Sequence, residues 1–153
     1  MTDADIMTKA KSRYVYVTFI KTTPDALWAA LTTSAFMKQY WFGTSIESDW
    51  KVGSSWKMVR ENGELTDTGQ VLAIDPPRHL MLNWRNEFLP ELTAEGYAYC
   101  TYDLEQVDGA VKLTVTHVID VADAKFITAV SGGWPRILSN LKSLLETGAT
   151  ILS

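Results

Sequence analysis

Residues 131–148 read SGGWPRILSNLKSLLETG. Trp134, Ile137, Leu138, Leu141, Leu144 and Leu145 recur at the three- and four-residue spacing of a single helical face. Asn140, Lys142 and Glu146 fall off that stripe, and Gly148 stands where a left-handed residue closes a helix. A proline costs a helix nothing only in its first turn, where the missing N–H has no partner. Pro135 therefore places the start of the regular helix near Gly133. Residues 121–130, VADAKFITAV, also read as helical, and Ser131, Gly132 and Gly133 predict a break and a kink between the two parts.

A stripe this long needs a partner surface, and strands precede it. Residues 13–20, RYVYVTFI, are rich in β-branched and aromatic side chains and predict a strand. TTPDALWAALT follows, with Thr23 as N-cap, Pro24 in the first helical position and Asp25 at the positive end of the dipole. A second short helix is expected over 33–40. Strands are then expected over 44–48, from Gly53 through SSWKMVRE, over 66–74 and over 79–84. ENGE at 61–64 carries turn chemistry, and Asp75-Pro76-Pro77 ends a strand. Residues 86–94 read as a loop. EGYAYCTYDLEQV pairs across Asp108-Gly109 with AVKLTVTHVID, and Val111, Leu113, Val115, His117 and Ile119 share one face of the last strand.

Turns of hairpin length make the sheet antiparallel. The order is strand, two short helices, about six more strands and a long C-terminal helix, an α+β arrangement. A sheet crossed by one long helix must curve around it, and a cavity opens where the two separate. Gly132 and Gly133 then become candidates for a flexible gate at its mouth. The plainer alternative is that they let the chain turn, or let Trp134 pack closely.

The chain has 153 residues, which suits one domain. Its net charge of −4 and lack of any Lys/Arg cluster argue against a nucleic-acid binder. Cys100 is the single cysteine, so no intrachain disulfide forms, and a reducing compartment fits. The polar start MTDADIMTKAKS has no apolar signal core, and YVYVTFI is too short to cross a bilayer. A cytoplasmic protein is expected, without membrane insertion.

Four stretches carry a family likeness: TTPDALWAALTTSAFMKQYWFG, GQVLAIDPPRHLMLNW, LTVTH and GGWPRILSNLKSLLETG. Together, over roughly residues 13–148, they resemble the START-like helix-grip superfamily, also called SRPBCC. Within it they are similar to the bacterial family named for homology to the activator of the heat shock protein 90 ATPase. The resemblance implies a seven-stranded curved antiparallel sheet wrapped around the long C-terminal helix, with two short helices between strands 1 and 2. It also implies an interior cavity for a small apolar or amphipathic molecule, within the one domain expected over 1–153, whose residues 1–12 are read as a flexible N-terminus. None of the four stretches is a catalytic signature.

The residues on faces read as inward, or near the cavity mouths, form the expected ligand-binding set. They are Trp28, Trp41, Phe42, Trp56, Met58, Arg60, Leu82, Trp84, Tyr102, Val115, His117, Trp134 and Leu138. For any one aromatic, core packing is the plainer role; together they suit a flat or greasy ligand. Arg60, on the parity of Trp56 and Met58, would be an inward charge that needs an acidic partner or a ligand carboxylate. His117 reads as a core histidine able to orient a polar ligand head, and His79 as exposed. Cys100 reads as a buried inert thiol. Glu95 and Asp103 read as one solvated strand face. Two separated histidines and one cysteine supply no metal spacing, and no GxSxG elbow or phosphate loop occurs. No catalytic residue, metal or cofactor is expected.

Three functions follow. The first is binding of a small apolar or aromatic molecule. The second is a cyclase, hydrolase or dehydratase of polyketide-like compounds, a range of activity that the resemblance suggests, using His117, Tyr102 and Arg60. The third is an interaction module, as a co-chaperone or stress-response partner, acting as monomer or homodimer. Convergence of His117, Tyr102 and Arg60 on one cavity point would separate the second from the first.

Overall fold

A computed structural model describes residues 2–153. Seven strands form one antiparallel sheet: β1 (Ser12–Ile20), β2 (Ser45–Ser48), β3 (Ser55–Val59), β4 (Leu65–Asp75), β5 (His79–Asn86), β6 (Ala98–Val107) and β7 (Ala110–Ile119). Their order across the sheet is β1-β7-β6-β5-β4-β3-β2. Two short helices, α2 (Pro24–Thr32) and α3 (Ser34–Tyr40), connect β1 to β2. As predicted, Thr23 caps α2, its hydroxyl accepting the Ala26 N–H at 3.2 Å with Pro24 next to it. The long C-terminal helix, α5 (Lys125–Thr147), packs on the inner face of the sheet. The α+β helix-grip arrangement is thus the one the sequence implies.

Alternation sorts the side chains. Leu80, Leu82 and Trp84 of β5, Cys100 and Tyr102 of β6, and Val115 and His117 of β7 meet Trp134, Leu138 and Leu141 of α5 in one core. Met81 and Val118 are buried on the opposite face. There the chain places a helix where the sequence predicts a flexible N-terminus. This is α1 (Asp3–Lys9), closed by a Thr2–Asp5 capping box. Its Ile6 and Met7 are half-buried, Ile6 beside Tyr99 and Met7 beside Met81 and Thr101. The loop over 86–94 likewise contains a short turn of helix, α4 (Pro90–Thr93).

The predicted break in the last helix is absent. Residues 125–147 form one helix with Gly132, Gly133 and Pro135 inside it. A proline in a helix interior costs about 3 kcal/mol, so distant contacts must hold the N-terminal half in place. Buried Ala124 and Phe126 supply apolar contact. Glu95 supplies the rest: its carboxylate accepts the N–H of Lys125 at 2.9 Å and of Phe126 at 2.8 Å. Ala124, the N-cap residue, has no side chain to do this. Glu95 therefore precedes β6 and caps α5, rather than lining a solvated strand, and such caps are worth about 1 kcal/mol.

Asn140 also departs from expectation. It lies off the predicted stripe, yet it is buried. Its Oδ1 accepts the N–H groups of Ile151 and Leu152 at 3.1 and 2.8 Å, and its Nδ2 donates to the Leu152 carbonyl at 3.0 Å. One amide thus ties the chain end to α5. At the other end of the sheet, a bulge between Met58 and Val59 leaves Thr66 unpaired and sets Asp67 directly opposite Met58. Asp67, Gly69 and Val71 consequently share the buried face.

Candidate functional site

Sheet and helix separate near the N-terminal half of α5. The gap is a cavity of about 180 Å³. Met58, Asp67, Trp84 and Asn86 form its sheet wall. Trp41, just after α3, and Leu92 of α4 close its sides. Phe126, Ala129, Val130, Gly133, Trp134 and Ile137 of α5 form the remaining wall. Ala129 is exposed, and Val130 and Ile137 are half-buried, so the cavity opens to solvent along α5.

Its aromatic walls are held from behind. Trp134 meets Trp41 edge-on with centroids 5.4 Å apart and lies 5.9 Å from Tyr102 and 6.0 Å from Trp84. Trp84 in turn packs against Trp56 at 4.7 Å and His117 at 5.0 Å. The Trp56 indole donates to the Asn83 carbonyl at 3.0 Å, so this tryptophan braces β5 rather than facing the cavity.

Asp67 supplies the carboxylate of the wall. It is 8% exposed, and its Oδ2 accepts the Trp84 indole N–H at 2.8 Å. Burial pushes its carboxyl above the ordinary range, and Glu87 adds to this. The Trp84 N–H, the Arg60 charge and the Thr66 hydroxyl pull the other way, although that hydroxyl's own hydrogen bond runs to the Met58 carbonyl at 3.4 Å. Among the described residues Asp67 forms no ion pair.

His117 is fully buried behind the cavity. Its Nδ1 accepts the Trp134 indole N–H at 3.1 Å, which fixes the proton of the neutral ring on Nε2. Nε2 has no partner among the described residues. Burial lowers the pKa of this ring to about 3.

Of the expected set, the structure brings Trp41, Met58, Trp84 and Trp134 to the cavity. Trp56, Leu82, Tyr102, Val115, His117 and Leu138 are core residues around it. Trp28 is half-buried against the core, and Phe42 is 42% exposed with the Arg136 guanidinium 5.4 Å from its ring centroid. Arg60 corrects the inward assignment. β3 ends at Val59, and Arg60 enters the turn closed by its N–H to the Glu64 carbonyl at 2.9 Å. Its exposed guanidinium lies 4.3 Å from the Phe88 ring centroid. His117, Tyr102 and Arg60 therefore do not converge on the cavity. His79 lies at the surface, its Nδ1 2.7 Å from the Asp103 carboxylate. Asp67, Leu92, Phe126 and Ile137 line the cavity without having been singled out. The only advance signal for Asp67 was its shared parity with Gly69 and Val71.

A larger depression of about 900 Å³ lies outside, over Glu47, Lys57, Gln70 and Asn83. Its lining is mainly polar, so the smaller, apolar cavity is the better ligand site. Among the described residues no cluster suits a metal, and no helix is long and apolar enough to cross a membrane.

An antiparallel sheet gripping one long helix, with an aromatic cavity between them, defines a helix-grip protein. The chain matches the family model "Activator of Hsp90 ATPase homolog 1-like protein" over residues 21–146, and it belongs to that family. No relative is found among curated proteins. Solved structures share the fold. Protein MLL2253 from Mesorhizobium loti superposes with a TM-score of 0.76 at 20% identity, covering 88% of this chain and 97% of that one. The Aha1 dimer from Colwellia psychrerythraea gives 0.72 at 23%, covering 90% and 98%. PFC0360w, an HSP90 activator from Plasmodium falciparum, gives 0.71 at 21%, covering 88% and 96%.

Proposed function

We propose that the protein binds a small apolar or aromatic molecule in the cavity between sheet and α5, and that it does so in the cytoplasm, where the buried thiol of Cys100 stays reduced. The observation that carries this reading is the apolar cleft of about 180 Å³ walled by Trp41, Trp84, Trp134 and Phe126. An apolar cavity of about 150 Å³ holds a benzene-sized ligand. The enzymatic alternative lacks support, because the polar groups it needs lie apart. Titration with toluene and indole, followed by methyl NMR, tests the reading. Shifts are expected to concentrate on Val130, Ile137 and Ala129. Shifts confined to the outer face, or none up to the solubility limit, would overturn it.

A second reading, association with another copy, is favoured by one feature. Val15, Val17 and Phe19 line the outer face of edge strand β1, each 45–50% exposed. Sedimentation equilibrium is expected to show a dimer that Phe19→Lys dissociates. A wild-type monomer at high concentration ends this reading.

A further inference from the structure

We propose that the group recognised in the cavity is an organic ammonium cation, seated against the Asp67 carboxylate within the cleft of Trp41, Trp84 and Trp134. The proposal rests on the cavity being the ligand site and names the chemistry of its ligand.

A carboxylate this buried normally carries a counter-charge. Asp67 has none among the described residues. The nearby guanidinium, Arg60, is exposed and lies over Phe88 instead. Trp84 donates to one oxygen of the carboxylate, which leaves acceptor capacity on the group for a ligand. An ammonium group donates hydrogen bonds and supplies the missing positive charge together. The tryptophan walls are apolar surface beside the carboxylate, and removing water there strengthens an ion pair.

The rest of the wall is apolar apart from Asn86, so the cation's carbon skeleton has matching surface. The volume admits a body about the size of one ring. The net charge of −4 favours the approach of cations. An anion would meet Asp67 with like charge. A neutral alcohol would fill the space but leave the buried charge uncompensated. Burial also raises the Asp67 carboxyl, the behaviour of a site whose charged form awaits a partner.

The test compares benzylammonium, benzyl alcohol and benzoate at neutral pH, using calorimetry and the Val130 and Ile137 methyl shifts. Benzylammonium is expected to bind about tenfold or more tighter than benzyl alcohol, with benzoate weakest. Asp67→Asn keeps an acceptor for the Trp84 indole. It is expected to erase the cation preference, so that benzylammonium binds no more tightly than benzyl alcohol to the variant. Equal affinity for the cation and the alcohol overturns the proposal, as does a preference that survives in Asp67→Asn. If none of the three probes shifts the cavity methyls, the cavity reading itself fails and takes the proposal with it. The wild-type comparison decides even if the variant is unstable.

Discussion

Gly69→Ala is expected to cost about 3 kcal/mol or more of folding stability, a large loss for one methyl group. A Cβ at this position would lie 2.0 Å from the Asn83 carbonyl oxygen and 2.6 Å from the Trp56 indole nitrogen. Neither neighbour is free to yield. The Asn83 oxygen belongs to the β5 backbone and accepts the Trp56 N–H at 3.0 Å. The Asn83 side chain accepts the Gln70 N–H at 2.6 Å, fixing the next residue of β4 as well. Trp56 is backed by Trp84 at 4.7 Å, so a displaced indole would drive into the cavity wall. The methyl must therefore part β4 from β5 or break the Trp56 bond. Gly132→Ala is the matched control: its Cβ meets nothing within 4 Å, and it sits inside α5. There alanine is expected to gain roughly 0.5–1 kcal/mol. Urea unfolding of both variants should move the midpoints in opposite directions at an unchanged slope. Two small shifts of one sign would show that the neighbours of Gly69 yield to a methyl group.

Gly69 also shows where the sequence was legible. A glycine inside a strand pattern signals close approach of another backbone, but only the fold says of which one. The apolar stripe from Trp134 to Leu145 needed no such help, because period and length mark a helix locally. Alternation likewise placed Trp84, Tyr102 and His117 on the inner face. The errors fall where a distant residue or a bulge overrides the local pattern. Pro135 argues against an uninterrupted helix until Glu95, thirty residues before Lys125, is seen to cap it. Arg60 carries inward parity only if β3 continues past Val59, and it does not. A charged residue in a strand is ordinarily solvent-facing, which hides Asp67 from a sequence reading. The bulge at Thr66 that fixes it opposite Met58 leaves no periodic trace. The cavity was legible as an aromatic set, but its one carboxylate was not.

Acidification is expected to weaken the fold through His117, and to do so before most carboxylates titrate. The ring is fully buried, and burial lowers its pKa from the ordinary 6.5 to about 3. Between those values the unfolded chain binds a proton that the folded chain refuses, so stability falls as pH falls. The slope approaches about 1.4 kcal/mol per pH unit, amounting to about 2 kcal/mol by pH 5. Among the described residues no charged side chain offsets this, and the rings packed on His117 are those of Trp84, Phe126 and Trp134. Asp67 acts oppositely. Its raised carboxyl gains a proton more readily in the folded state, so it returns some stability as pH drops through its titration range. The His117 slope is therefore cleanest just below pH 6.5. His117→Gln retains an acceptor for the Trp134 N–H and should flatten the profile there. Urea unfolding of the two proteins across this range should give curves that converge as pH falls. Parallel curves would show that the imidazole charges while the protein is folded. Protonation within the fold would also turn Nδ1 from acceptor into donor, facing the Trp134 N–H with a second N–H. In the folded protein that requires a pH near 3, so across the interval in which stability falls the indole that walls the cavity keeps its anchor, and loss of that anchor should not lower ligand affinity there.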